Sequence, residues 1–361
     1  MRKLLLTTTS AAALCALTAQ VQAQMTVTLG GYTEFFAATY DDDLGSNRTS
    51  REFQLEAEIV VKADGKANNG LLYGAKVELQ NSTPNAGTGV GTDEASVYLG
   101  GGWGRLELGD FDGAADTLKI YAPVVGVEQI DGDYPDFAGG QPNFGMHIPN
   151  TGDSTKIMYL TPRIAGFQGG ASYTPEAGDE AQRVVTLKTA STYKDVGEFG
   201  VNYTGEFSGV GVSLGATLTT AESNASSGVE DFTAWNLGAQ ITFGDFALGG
   251  GYVDANDFLL PTTGAIDDDQ TAWHVGGSFT TGPIAIAATY LAAEGYSGAN
   301  GGYSTDYQAY SLGATYALAP GMVVETEITF FEDDFLTGTR GATTKGSNDG
   351  YVFVLGTRLD F

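Results

Sequence analysis

Cysteine is all but missing from this chain. The single thiol, Cys15, lies in an N-terminal stretch that reads as a removable leader. An exported chain without disulfides must be held by something else, such as a large hydrogen-bonded sheet. Proline is scarce as well, 10 residues against 52 glycines. With 11% aromatic residues, that balance argues against an ordinary helical enzyme and for β-structure with many tight turns. Basic residues are few: 17 Lys plus Arg against 44 Asp plus Glu give a net charge of −27, which repels nucleic acid and excludes DNA or RNA as a partner. Long apolar runs are absent too, for nothing after residue 23 approaches the roughly 18 unbroken apolar residues of a transmembrane helix. A chain of this kind crosses a membrane only as a closed barrel, because unpaired backbone groups cannot face lipid.

Residues 1–23, MRKLLLTTTSAAALCALTAQVQA, carry two cations, an apolar run to about Leu17 and a small-residue exit at Val21-Gln22-Ala23. This is the pattern of a secretory signal peptide cleaved before Gln24, which leaves 24–361 as the folded domain. A lipoprotein reading around Cys15 is weak, because Leu14 is bulky where a small residue is required.

What the chain does have is alternation. In FQLEAEIVVKADGKANNGLLYGAKVELQ, Phe53, Leu55, Ala57, Ile59 and Val61 alternate with Gln54, Glu56, Glu58 and Lys62. After a polar turn, Leu71, Tyr73, Ala75, Val77 and Leu79 alternate with Lys76, Glu78 and Gln80. Period-two patterning of this length predicts strands with one apolar and one polar face. Sixteen such segments follow one another, near 25–40, 50–62, 70–80, 93–100, 103–110, 153–161, 166–173, 196–207, 210–219, 231–243, 246–253, 270–280, 284–291, 306–317, 322–331 and 350–361. Short links alternate with longer ones such as Asp41–Thr49, Pro175–Asp195, Asp254–Asp269 and Glu332–Asp349. Short turns at one end and long loops at the other predict an all-β, 16-stranded antiparallel up-and-down barrel in the outer membrane, with both termini on the short-turn side. The outer belt reads as Phe199, Val201, Tyr203, Trp235, Leu237, Ile284, Ile286 and Val324, with Tyr, Trp and Phe near the strand ends.

The longest connection, about 111–152, holds Ile120, Tyr121, Val124, Val125, Val127, Tyr134 and Phe137. It is too apolar to be disordered and too long to be an ordinary link. The loop and its approach also carry Asp110, Asp112, Asp116, Glu128, Asp131, Asp133 and Asp136. Among the scarce cations, Arg48, Arg51, Lys62, Lys76 and Arg105 are concentrated between residues 48 and 105; Lys76 and Arg105 face inward by parity, and Arg51 falls on the outward parity.

The start MTVTLGGYTEFFAATYDDD, the segment VYLGGGWGRLELGDFDGAADTL and the terminal strand ending in Phe361 resemble the general porins of Gram-negative bacteria, especially the 16-stranded alphaproteobacterial porins of the Rhodobacter type. The resemblance implies a water-filled channel for passive diffusion of small hydrophilic solutes and ions. It also implies a loop folded into the lumen, and a constriction between that acidic loop and a basic wall of Arg48, Arg51, Lys76 and Arg105. A homotrimer surrounded by outer-membrane lipid and lipopolysaccharide is implied too, as is recognition of the last strand by the barrel assembly machinery. Related porins carry calcium, so Ca2+ is a candidate at the acidic runs Asp41–Asp43, Asp267–Asp269 and Glu332–Asp334, although none matches an EF-hand. Other readings are a channel selective for sugars or organic acids, a secreted β-rich adhesin or lectin, and a barrel hydrolase using His274 with Ser278. With only His147 and His274 in the chain, no thiol after the leader and no G-x-S-x-G elbow, no enzyme is expected.

Overall fold

The computed structural model describes residues 25–44, 49–81, 90–127, 129–132, 134–137, 147–181, 191–262, 270–295, 303–339 and 342–361. Sixteen strands form one antiparallel barrel: β1 Thr26–Asp42, β2 Arg51–Lys66, β3 Leu72–Gln80, β4 Gly91–Gly101, β5 Gly104–Asp110, β6 Thr155–Leu160, β7 Phe167–Glu176, β8 Tyr193–Phe207, β9 Val210–Ser223, β10 Phe232–Phe243, β11 Phe246–Asp254, β12 Thr271–Thr281, β13 Ile284–Glu294, β14 Tyr303–Ala319, β15 Met322–Thr339 and β16 Ala342–Asp360. Each strand pairs with its sequence neighbours, and β16 closes on β1. The seam runs to the last residue, where the amides of Gly31 and Phe361 donate to each other's carbonyls at 3.1 and 3.0 Å.

The two faces of the sheet meet different surroundings, as the alternation requires. Outward positions such as Leu55, Ile59, Val97, Leu214, Leu237, Ile286 and Leu312 lie exposed on the isolated barrel, forming the apolar belt that lipid covers. Inward positions on the same strands are polar or small, and many of them are buried, among them Glu58, Ser96, Glu198, Asn202, Asn236, Thr289, Ser311 and Glu327. Tyr, Trp and Phe bracket the belt. On one rim Trp235 touches Tyr252 (ring centroids 5.2 Å apart), Trp273 touches Tyr290 (5.0 Å) and Tyr290 touches Tyr310 (4.8 Å). On the other rim, Phe167 meets Tyr203 and Phe246 meets Phe279, each at 4.8 Å.

Strand ends differ from the sequence expectation on the long-loop side. Glu332, Asp333 and Asp334 lie within β15 rather than in a loop, and Asp41 and Asp42 close β1. Alternation continues there with a changed vocabulary: Phe331 and Asp333 are buried, Glu332 and Asp334 exposed. Strands of 18 and 19 residues exceed the roughly 9–11 that a tilted membrane strand needs, so the β15–β16 hairpin stands above the bilayer. Asp267–Asp269 and residues 1–24 fall outside the described residues.

Inside the barrel lies the long connection after β5. It contains a short helix α1 (Ala114–Leu118), a 3-10 turn (Gln129–Asp131) and a second short helix α2 (Tyr134–Phe137). Helix α1 packs on β6–β9, the 3-10 turn on β13–β15, and α2 on β1 and β16. The loop therefore runs round most of the inner wall, leaving β3–β5 and most of β2 facing open water.

Candidate functional site

A row of glycines seats the loop. A Cβ at Gly200 on β8 would meet Leu118 at 2.8 Å, and one at Gly215 on β9 would meet the Ile120 amide at 3.0 Å. At Gly249 on β11 it would meet the Tyr121 carbonyl oxygen at 3.1 Å, and at Gly276 on β12 it would meet Ala122 at 3.1 Å. Contact is closest at Gly238 on β10, where a Cβ would lie 1.7 Å from the Ile120 carbonyl oxygen, and at Gly313 on β14, 2.3 Å from that of Val125. Loop backbone occupies the volume that side chains would fill on these strands. Only glycine permits that approach.

Buried polar groups fasten the loop to this bed. Glu198 on β8, fully buried, accepts from the Ala115 amide (3.1 Å), the Thr151 amide (3.2 Å) and the Thr151 hydroxyl (2.8 Å), joining the outgoing and returning ends of the loop. The Lys156 ammonium donates to the carbonyls of Phe111 and Gly152 at the same neck. Farther along, Tyr134 and Tyr307 share a buried hydroxyl contact, and Gln54 of β2 donates to Asp136 at 2.9 Å.

Facing the neck, the wall of β2–β5 bounds a cavity of about 500 Å³ whose lining includes Lys62, Lys76, Glu94, Arg105, Asp112 and Thr117. Lys76 and Arg105 thus share one space with Asp112 of the loop, and Lys62 joins them. Neither Lys76 nor Arg105 stands as a lone cation. Lys76 bridges Glu78 (3.0 Å) and Glu94; Arg105 pairs with Glu107 at 2.8 Å and lies 3.9 Å over the Tyr98 ring. Arg51 sits exposed at the start of β2, opposite Thr39 on the outward register, away from this cavity. Arg48, Glu128 and Asp133 lie outside the described residues, and Asp131 falls in the 3-10 turn. Asp110 ends β5, buried, and accepts from the Thr155 hydroxyl (2.5 Å) and the Ala181 amide (2.6 Å), so it braces the neck rather than lining the opening. Asp116 accepts from Lys119 at 2.6 Å and lies 3.5 Å from His147. Burial alone would raise its carboxyl, but the His147 and Lys119 contacts outweigh that and hold it at about 2.

Carboxylates outnumber cations along the open wall. A register irregularity between Val77 and Leu79 turns both Asp93 and Glu94 toward Lys76 and its neighbours. Oxygens of Glu58, Glu78 and Asp93 lie within 4.8 Å of one another. Three hard oxygen donors are the chemistry a Ca2+ or Mg2+ ion takes, and they occur here on the barrel wall. Glu56 accepts from Tyr32 and from Gln80 (2.8 Å) beside them. Asp153, from the returning neck, completes the group; burial, and then Asp112, Glu94 and Asp93, push its carboxyl up to about 7. Sequence reasoning missed Asp153 because it follows the loop instead of lying in its acidic stretch. It also missed the glycine row, whose signal was glycine recurring at inward mid-strand positions.

A sequence profile described as Gram-negative porin matches residues 8–336. The chain belongs to the Gram-negative porin family. Two mutants of the Rhodopseudomonas blastica porin superpose with TM-scores of 0.65 and 0.64 at 16% sequence identity, each covering 93% of this chain and 100% of the other. An uncharacterized protein of Rickettsia prowazekii is 22% identical over 398 residues, covering 89% of this chain and 88% of its own. The barrel, its apolar belt and its inward loop are thus those of an outer-membrane channel porin. His274 and Ser278 form no dyad in this porin: four residues apart on one strand they stand roughly 13 Å from each other, and His274 is buried with neither ring nitrogen hydrogen-bonded.

Proposed function

We propose that this porin passes small hydrophilic solutes by passive diffusion and prefers cations. The observation that carries the preference is the composition of the opening. Glu56, Glu58, Glu78, Asp93 and Glu94 on the wall, with Asp112 and Asp153 on the loop neck, surround Lys76 and Arg105, each already paired with carboxylates. A passing cation meets an excess of carboxylates along the β2–β5 wall, whereas an anion meets Lys62, Lys76 and Arg105 among them, the last two already paired with carboxylates. The basic wall implied by the family resemblance is replaced in this reading by a mixed wall with acidic excess.

The test is a reversal potential across a KCl gradient with purified protein in planar bilayers. A potential of cation-preferring sign supports the reading, and Lys76→Glu strengthens it by converting the central cation. A potential of anion-preferring sign in the unaltered protein refutes it. Saturable block by a sugar or an organic acid would favour a substrate-selective channel instead.

Oligomer formation fits the outer surface. Aromatic pairs border the belt at Phe35–Phe53 and from β6 round to β16, and apart from Phe53 and Tyr73 the outward residues of β2–β4 include Leu55, Ala57, Ile59, Val61, Ala75, Val77, Ala95 and Val97, aliphatic or small. Small and aliphatic side chains between the rims let a neighbouring protein surface approach this face closely. We assign that face to neighbouring copies in a homotrimer, exported through the periplasm and inserted by the assembly machinery through β16. Chemical cross-linking in detergent distinguishes a three-copy ladder from a monomer.

A further inference from the structure

Gln129 has a backbone that ordinarily belongs to glycine. Its φ is 55°, in the left-handed region, and it is fully buried. A non-glycine side chain held there stores strain, and such strain persists only where surrounding contacts fix it. The contacts are present. The Gln129 amide donates to Glu327 on β15 at 2.7 Å, and its side-chain nitrogen donates to the carbonyls of Ala287 on β13 and Ser311 on β14, both at 3.2 Å. Its side-chain oxygen accepts from the Val125 amide at 3.1 Å, and its carbonyl accepts from Gly132 at 3.1 Å. One residue therefore ties two points of the loop to three consecutive wall strands. Gly313 leaves the space this needs: a Cβ there would lie 2.3 Å from the Val125 oxygen and 3.2 Å from Gln129 Cγ.

We propose that Gln129 is the positioning residue that holds the far half of the inserted loop against the wall, and so keeps the channel open. The inference rests on the porin reading and deepens it. Glycine at 129 would relieve the backbone strain, so nothing about chain conformation calls for glutamine. The side chain is what the position uses. It contributes three hydrogen bonds between loop and barrel or within the loop turn, all in a buried setting where each counts. When these are lost, the segment between residues 119 and 137 leaves the wall in the one direction open to it, toward the lumen. Closed and partly closed levels then become populated.

The experiment compares Gln129→Gly with the unaltered protein by single-channel recording in planar bilayers, with heat-modifiable gel migration reporting barrel integrity. Two of the lost hydrogen bonds, to Ala287 and Ser311, join the loop to the wall; each shifts the closed-to-open ratio by about fivefold, so together they shift it on the order of twentyfold. The expected result is frequent closures and reduced mean current from a barrel that migrates as the unaltered one does. Gly313→Ala perturbs the same contact from the wall side and is expected to do likewise. Gly277→Ala, whose Cβ meets only ordinary contacts at 3.5 Å, serves as the control and is expected to leave the current unchanged. Steady, full-sized currents from both Gln129→Gly and Gly313→Ala overturn the proposal, as do closures that appear equally in Gly277→Ala. A current-less unaltered protein overturns the channel reading and this inference with it.

Discussion

Replacing Gly238 by alanine asks one methyl group to occupy space held by loop backbone. The methyl carbon would lie 1.7 Å from the Ile120 carbonyl oxygen and 2.6 Å from its carbon, where ordinary contact begins at about 3.4 Å. Something must yield by about 1.7 Å. β10 is laddered to β9 on one side and to β11 on the other, whereas the loop at Ile120 has open lumen on its far side. The loop therefore moves inward. The intrusion narrows the passage between the loop and the opposite wall. Overpacking of this kind costs about 1–3 kcal/mol. Single-channel conductance of Gly238→Ala should fall clearly below that of the unaltered protein, with a modest drop in the temperature at which the barrel loses its folded gel mobility. Unchanged conductance in a folded Gly238→Ala channel would show that the loop does not rest on β10, and the glycine-bed argument would fail with it.

Two further outcomes follow from the neck of the loop. Asp153 ionises in the folded protein at about 7, above the usual carboxylate range near 4. It is mostly neutral below that pH and charged above it, so cation preference should rise as pH climbs through 7. Asp153→Asn should flatten that step in reversal-potential measurements, and a step that persists would assign it elsewhere. The same shift has a stability sign: the contribution from Asp153 is whole below about pH 4 and is lost as pH rises through 7, because the folded neck disfavours the charged form. Glu198→Ala would strip the Ala115 amide, the Thr151 amide and the Thr151 hydroxyl of their acceptor. The Thr151 hydroxyl keeps Thr174 as a partner at 3.1 Å, but the two buried amides left unmet cost about 1–3 kcal/mol each, so denaturant titration should show a loss of at least about 2 kcal/mol, and an unshifted midpoint would count against Glu198 as the neck fastening.

The barrel was legible because its signal repeats. Alternation at Phe53–Val61 means little alone, but sixteen such segments with a long and short loop rhythm leave few alternatives. Strand ends were harder: beyond Phe330 the outward positions pass from apolar to acidic at Glu332 and Asp334, and a search for oily combs stops where the lipid stops. The constriction was legible in part. Parity placed Lys76 and Arg105 on the inner wall, but it could not show which carboxylates approach them, and Asp93, on the outward parity, joins the wall only through a register irregularity. Gln129 was invisible for a simpler reason. It is an uncharged amide in a run with no periodicity, and its importance depends on strands more than 150 positions away.

Because the loop beds on β6 through β16 and around to β1, while the ionisable lining of the opening belongs to β2–β5 and the neck, this porin separates two design variables on its own surface. Changes in charge on β2–β5 retune which ions enter without disturbing how wide the gate stands. Changes in the glycine bed do the reverse. A sensor built from this barrel can therefore have its ion discrimination and its bore adjusted independently, on different strands.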